Sequence, residues 1–236
     1  MLWHKAWLET RSRFLTSLAI LPFLTAVFVH HAQSMIRPEW KTDFNRLMYL
    51  DQQFVVMMWI LAVTLLGMGG IVREKAIGTS SFTLAFPVSR ARLLGVRVGM
   101  GVVESIVLAV VPWVTVFAVS FFAKMPIRIT QVAFYCLLLI GGGLVYFALA
   151  VLVSSLVAGE YTAPVVAFGV VLLSTVLFDV WLQRFNVWRL VTGDFSLDRN
   201  SYLLSEPVPW MGIIASLSAA AIMLLGSISA VQRREF

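Results

Sequence analysis

The run ITQVAFYCLLLIGGGLVYFALAVLV, residues 129–153, contains no Asp, Glu, Lys, Arg or His. A helix needs about 20 apolar residues to cross the ~30 Å hydrocarbon core of a bilayer, so this segment is long enough to span one. A transmembrane strand would alternate apolar and polar side chains with a two-residue period; here the apolar side chains are continuous. The segment therefore reads as a membrane helix. Five further windows are predominantly apolar, at residues 14–35, 54–72, 98–122, 162–182 and 209–231. The fold class that follows is all-α integral membrane, with six transmembrane helices in a single domain over residues 1–236.

Composition agrees. Hydrophobic residues make up 60% of the 236 and charged residues only 13%, and the mean hydropathy is +0.89. A soluble domain of this size needs far more polar surface. Six spans put both termini on one side. With the termini inside, Arg73, Lys75, Arg90, Arg92 and Arg97 form the densest basic cluster beside span ends, as the positive-inside rule requires. Basic residues of the other side are interleaved with Glu39, Asp43, Asp51, Asp194, Asp198 and Glu206. The net charge of +6 then reflects attraction to anionic lipid headgroups, and no soluble domain supports nucleic-acid binding. A cleaved signal peptide is the competing reading of Lys5, Arg11, Arg13 and the apolar stretch after them. Cleavage would leave five spans and strand the basic cluster outside. The lone cysteine, Cys136, lies mid-span, so no intramolecular disulfide is expected.

Residues 1–13, MLWHKAWLETRSR, place Leu2, Trp3, Ala6 and Trp7 near one helical face and Lys5, Glu9 and Arg13 largely on another. That pattern suits a short helix lying in the membrane interface; the alternative is a plain extension of the first span. Gly95 with Gly99, and the stripe Gly212, Ser216, Ala220, mark faces where helices can pack closely. Gly141–Gly143 are expected to weaken their helix and allow a bend, and Pro22, Pro112 and Pro164 to kink theirs. The outer connection, residues 183–208, is expected to fold as a short helix pair at the outer interface.

Signatures of chemistry are missing. The chain has no Walker phosphate loop, HExxH helix, cysteine pairs at metal spacing or GxSxG elbow. Catalytic, cofactor-binding and metal sites are therefore not expected. His30 and His31 are adjacent and point to different sides of a helix, a poor arrangement for a metal. Glu104 stands apart, because a carboxylate at the centre of a span costs on the order of 3 kcal/mol and usually faces a bundle interior or cavity. It either lines a transport path or its cytoplasmic gate, or braces the bundle by bonding Ser105 or a Thr or Tyr on a neighbouring helix.

Between the second and third spans lies REKAIGTSSFTLAFPVSRARLLGVR, residues 73–97. Thr79 or Ser80 can cap a helix by accepting a backbone N–H bond, and Pro87 stops it by pushing the preceding residue out of helical geometry. About two turns result, with Phe82 and Phe86 on one face at i, i+4 spacing. Such a peg either fills a partner's groove or tucks against lipid.

The run from Glu74 through Gly78-Thr79, followed by Pro87-Val-Ser-Arg90 and Gly95, resembles the loop between the second and third spans of the type-2 ABC-transporter permeases. Span count, length, inside termini and an amphipathic N-terminal helix are similar as well. Ser80-Ser81-Phe82 departs from the family, which often has a Leu-Glu pair there, and the link at residues 154–161 is sparse beside Glu160. The resemblance implies a non-catalytic permease subunit of an ATP-driven exporter in a bacterial inner (cytoplasmic) membrane, with both termini cytoplasmic. It implies a separate ATPase subunit that carries ATP and Mg and seats the cytoplasmic coupling helix through Glu74, Gly78, Thr79, Ser80, Phe82, Phe86 and Pro87. A second permease chain, identical or related, would complete the substrate path. Two other classes stand beside this one: an ion-gradient-driven secondary transporter using Glu104, and a non-transporting membrane scaffold or sensor. Secondary carriers commonly carry repeated halves with broken helices, and no matching pair of interrupted spans occurs here.

Overall fold

Backbone N–H and C=O groups inside hydrocarbon must bond each other, and a helix achieves this within one segment. The computed structural model is built accordingly. It describes residues 2–35, 41–68, 89–122, 124, 127–157, 165–166, 168–173, 186–205 and 207–233. In chain order these form α1 (Leu2–Met35), α2 (Lys41–Gly67), α3 (Arg90–Phe122), α4 (Ile129–Leu156), α5 (Val187–Val191), strands β1 (Leu197–Asp198) and β2 (Leu203–Leu204), and α6 (Trp210–Arg233). The helices α1, α2, α3, α4 and α6 are each long and apolar enough to cross a membrane. They match five of the six windows read from sequence. Of the remaining window, residues 165–166 and 168–173 are helical, and the rest lies outside the described residues.

Side-chain contacts fix the direction of each helix. Arg97 near the start of α3 pairs with Glu9 near the start of α1, and Arg13 of α1 reaches carbonyls at the end of α2. The last residue of α2, Gly67, abuts Ala150 of α4, and Gly226 of α6 sits over Leu152 of α4. The start of α1, the end of α2, the start of α3 and the ends of α4 and α6 therefore share one end of the bundle. Residues 69–88 depart from and return to it, so we call it the loop end.

The helix α4 is the axis of the bundle and packs against α2, α3, α5 and α6. Its three glycines explain how. Consecutive helical residues point about 100° apart, so Gly141, Gly142 and Gly143 present bare backbone in three directions. A Cβ on Gly141 would lie 2.7 Å from Ile213 of α6, one on Gly142 2.9 Å from Val191 of α5, and one on Gly143 2.4 Å from Trp59 of α2. The helix α4 runs unbroken through the triplet. Missing side chains leave the i→i−4 ladder intact, and three neighbours pack directly on the bare backbone. Pro22 and Pro112 likewise lie inside α1 and α3 without ending them.

Polar bonds tie the helices at depth. Trp59 Nε1 donates to the Ser105 carbonyl of α3 at 3.3 Å, and Ser216 Oγ of α6 donates to the Gly142 carbonyl at 2.6 Å. The stripe Gly212, Ser216, Ala220 is thus the packing face of α6, with Ser216 and Ala220 buried and Gly212 against Leu190. Large apolar side chains point outward along α1 and α6, among them Phe23, Ile214, Ile222 and Leu225. This is the surface of a protein solvated by lipid.

Two expectations need correction. The N-terminal segment is not a separate interfacial helix, because α1 continues from Leu2 to Met35 without a break. Good helix formers fill residues 2–13, no Gly or Pro interrupts them, and the polar face meets α3 instead of headgroups. The connection over residues 183–208 is not a helix pair where it is described. Asn186 caps α5 by accepting from the Trp188 amide at 2.9 Å, and Gly193 at φ +79 ends the segment after five helical residues. The chain then forms a small antiparallel hairpin, Leu197 opposite Leu204 and Asp198 opposite Leu203. Ser201 Oγ and the Asn200 amide donate to Asp198 and hold its carboxyl below the usual carboxylate range. Gln131 of α4 seats this hairpin by bonding both the Leu204 carbonyl at 2.8 Å and the Leu204 amide at 2.9 Å.

Close backbone approach at Gly143 predicts a steep cost for one methyl group. Gly143→Ala pushes Cβ into the fully buried Trp59 ring and should destabilise the detergent-solubilised protein by about 1–3 kcal/mol. Gly95→Ala meets nothing within 4 Å and should be neutral or stabilising by up to about 1 kcal/mol through helix propensity. Thermal unfolding of the two variants checks the contrast, and equal melting temperatures would contradict the assigned packing.

Candidate functional site

The polar stripe of α1 follows from i, i+4 spacing: Lys5, Glu9 and Arg13 recur every fourth residue and line one face. Lys5 Nζ lies 3.7 Å from Glu9 Oε1. Glu9 Oε2 in turn meets Arg97 Nη1 of α3 at 2.9 Å, with both side chains mostly shielded. One residue further, Thr10 is buried and its hydroxyl donates to Glu104 Oε1 at 2.5 Å. Glu104 is 2% exposed, and its second oxygen has no hydrogen-bond partner. Trp3 completes the contact by covering Gly99, where a Cβ would stand 3.1 Å from the indole. Arg97 and Glu104, on one side of α3, and Gly99 further round it all meet the first three turns of α1.

Arg13 makes the second junction. Its Nη1 donates to the Leu65 carbonyl at 2.9 Å and also to the Met68 carbonyl. The last carbonyls of a helix lack intrahelical partners and carry the negative end of its dipole. A guanidinium from α1 thus caps α2 where the chain leaves for residues 69–88. The two helices flanking that stretch, α2 and α3, are both bonded to one rigid splint.

Glu104 fits the brace that the sequence suggested, with Thr10 as the neighbouring threonine. Ser105 instead donates to the Gly101 carbonyl of its own helix at 2.7 Å. The coupling residues Glu74, Gly78, Thr79, Ser80, Phe82, Phe86 and Pro87 lie outside the described residues, as does Glu160. Sequence reasoning missed Thr10 and the paired roles of Glu9, Arg13 and Arg97. The signal was present in the Lys5, Glu9, Arg13 stripe, which can pair with a facing helix as readily as with headgroups. Among the described residues, no group of three or more His, Cys, Asp or Glu side chains converges as a metal site would. The arrangement offers mechanical linkage between helices; no nucleophile or paired acid and base is assembled in it.

Comparison with known proteins gives a family match. No curated protein and no solved structure is similar enough to count. A family model described as "ABC-2 family transporter protein" matches residues 11–189, which cover well over half of the chain and run from α1 through the start of α5. The segment bearing the resemblance noted in the sequence lies inside the match. The chain belongs to the ABC-2 family of transporter proteins.

Proposed function

We propose that residues 1–236 form one transmembrane permease domain of an ATP-driven exporter. A separate nucleotide-binding subunit, holding ATP and Mg, would supply the energy, and this chain would have no ATPase activity. A second permease chain, identical or related, would share the substrate path. The chain would sit in the inner (cytoplasmic) membrane with the loop end and both termini in the cytoplasm. The coupling helix around Thr79–Phe86 would be the part on which the ATPase subunit pushes.

The observation that carries this reading is the splint. Family membership supplies the class, and the structure supplies a route for force. A push on residues 69–88 acts on the end of α2 and the start of α3. Arg13 on the α2 carbonyls, and Glu9 and Thr10 on Arg97 and Glu104, pass it into α1. Three helices respond together. Glu104 then acts as the buried joint of this linkage.

Two experiments test the reading. Tagged chain extracted from its native membrane should carry an ABC-type ATPase subunit, and Phe82→Ala with Phe86→Ala should remove that subunit while leaving the chain in the membrane. Retention of the ATPase by the double variant would contradict the assigned contact. Arg13→Gln removes the charged donor from the α2 terminus and should lower stability by about 1–2 kcal/mol, yet leave the ATPase bound. Thermal unfolding and co-purification measured on the same sample separate the two effects. Loss of the ATPase in Arg13→Gln would instead place Arg13 in the docking contact.

A further inference from the structure

Asn45, Tyr49 and Gln52 recur at i, i+4 and i+7 and so share one face of α2. Each bonds a different part of the segment 186–205, which covers the end of the bundle opposite the loop. Gln52 Nε2 donates to the Thr192 carbonyl at 3.1 Å, and Asn45 Nδ2 to the Ser201 carbonyl at 3.0 Å. Between them the Tyr49 hydroxyl donates to Asp194 Oδ1, while Asp194 Oδ2 accepts from Arg189 Nε at 3.0 Å. Thr192 ends α5, where carbonyls have no intrahelical partner. The start of α2 thus closes the end of α5, as Arg13 closes the end of α2.

Tyr202 adds a fourth contact at a conformational cost. It ends the turn between the paired residues Asp198 and Leu203, and its backbone is left-handed, with φ +53. Glycine takes that conformation freely and asparagine or aspartate tolerates it, whereas a bulky residue there is an outlier. The turn alone therefore does not select tyrosine. Its ring does something a turn residue cannot: it lies 6.4 Å from the Tyr49 ring, centroid to centroid, and 5.9 Å from the Arg46 guanidinium. Strain of this kind persists where surrounding contacts over-determine it. The segment is also fixed on its other side. Gln131 of α4 holds both backbone groups of Leu204, and Leu190 packs over Gly142 of α4 and Gly212 of α6.

We propose that residues 186–205 are a clasp that fastens the start of α2 to α4 and α6, with Tyr202 the positioning residue that closes it. The two ends of α2 are then held by different helices. Arg13 ties its end to α1, and the clasp ties its start to α4 and α6. All four contacts come from one short, internally bonded segment, so they are made and lost together. This inference is independent of the direction and energy source of transport.

Amide hydrogen exchange of the detergent-solubilised full chain, read by mass spectrometry of its peptides, reports local opening and tests the clasp. Tyr202→Asn keeps a side chain suited to the left-handed turn and removes the ring. Amides of residues 46–53 should then exchange several-fold faster, while the hairpin peptide 197–205 and α6 keep their rates. Tyr49→Phe removes the bond to Asp194 from the α2 side. Amides of residues 190–196 should exchange several-fold faster in that variant, again with α6 unchanged. Unchanged exchange of α2 in Tyr202→Asn, or a change confined to the hairpin, would overturn the role given to Tyr202. Unchanged exchange over residues 190–196 in Tyr49→Phe, or an equal rise in α6, would overturn the clasp itself, whether or not Tyr202→Asn folds.

Discussion

Arg13 reaches the last carbonyls of α2 from a neighbouring helix, and the order of the loop end follows from that contact. A helix terminus leaves carbonyls unbonded, and near a membrane water reaches them only in part. The guanidinium satisfies two of them and opposes the helix dipole at once. For Arg13 to arrive there, α1 must stand beside α2 at that level, which brings Glu9 and Thr10 onto α3. Thirty-four residues make α1 about 50 Å long, well beyond the ~30 Å of hydrocarbon. The surplus is the splint. Its amphipathic pattern is satisfied by Arg97 and Glu104, so it has no need to lie down in the interface.

Much of this architecture was legible in the sequence, and what escaped has physical reasons. Continuous apolar runs set the spans, because hydrocarbon tolerates few alternatives; the run at residues 129–153 became α4 within a few residues of its expected ends. That Glu104 would meet a polar partner on a neighbouring helix was legible too, since an isolated carboxylate in a span is costly. The identity of that partner was not. Thr10 lies ninety-four positions away, and a single threonine beside a charged stripe carries no mark of the helix it will face. What Gly141–Gly143 would meet was not legible either: glycine weakens an isolated helix, yet among packed helices it lets neighbours close to backbone contact. The connection at residues 186–205 was misjudged because its apolar residues were counted without weighing Asn186 and Gly193, which limit α5 to little more than one turn.

The two ends of the bundle solve the polar problem differently. The loop end uses charged groups in direct contact: Glu9 with Arg97, and Arg13 with carbonyls. The opposite end adds amides and aromatic rings to an ion pair. Gln131 clamps the hairpin, Asn45 Nδ2 donates to the Ser201 carbonyl at 3.0 Å, and Tyr49 donates to Asp194, which also holds Arg189 at 3.0 Å. Trp113 and Tyr135 stack with centroids 4.3 Å apart beneath this cap.

The helices also divide into two closely packed pairs. α1 lies along α3, and α4 lies along α6, with α2 touching both α1 and α4. Bare glycine backbone locks the second pair: Ile213 fills the place of a Gly141 side chain, and Ser216 bonds the Gly142 carbonyl. Salt bridge, hydroxyl bond and the Trp3 ring lock the first. Neither pair can slide internally without losing several of these contacts at once, because interlocked side chains have discrete arrangements rather than continuous ones. The pairs meet through α2 and also directly, where α3 packs against α4 and α6. Residues 69–88 join α2 directly to α3, so under the proposed coupling a push there would enter the bundle through α2 and α3 together.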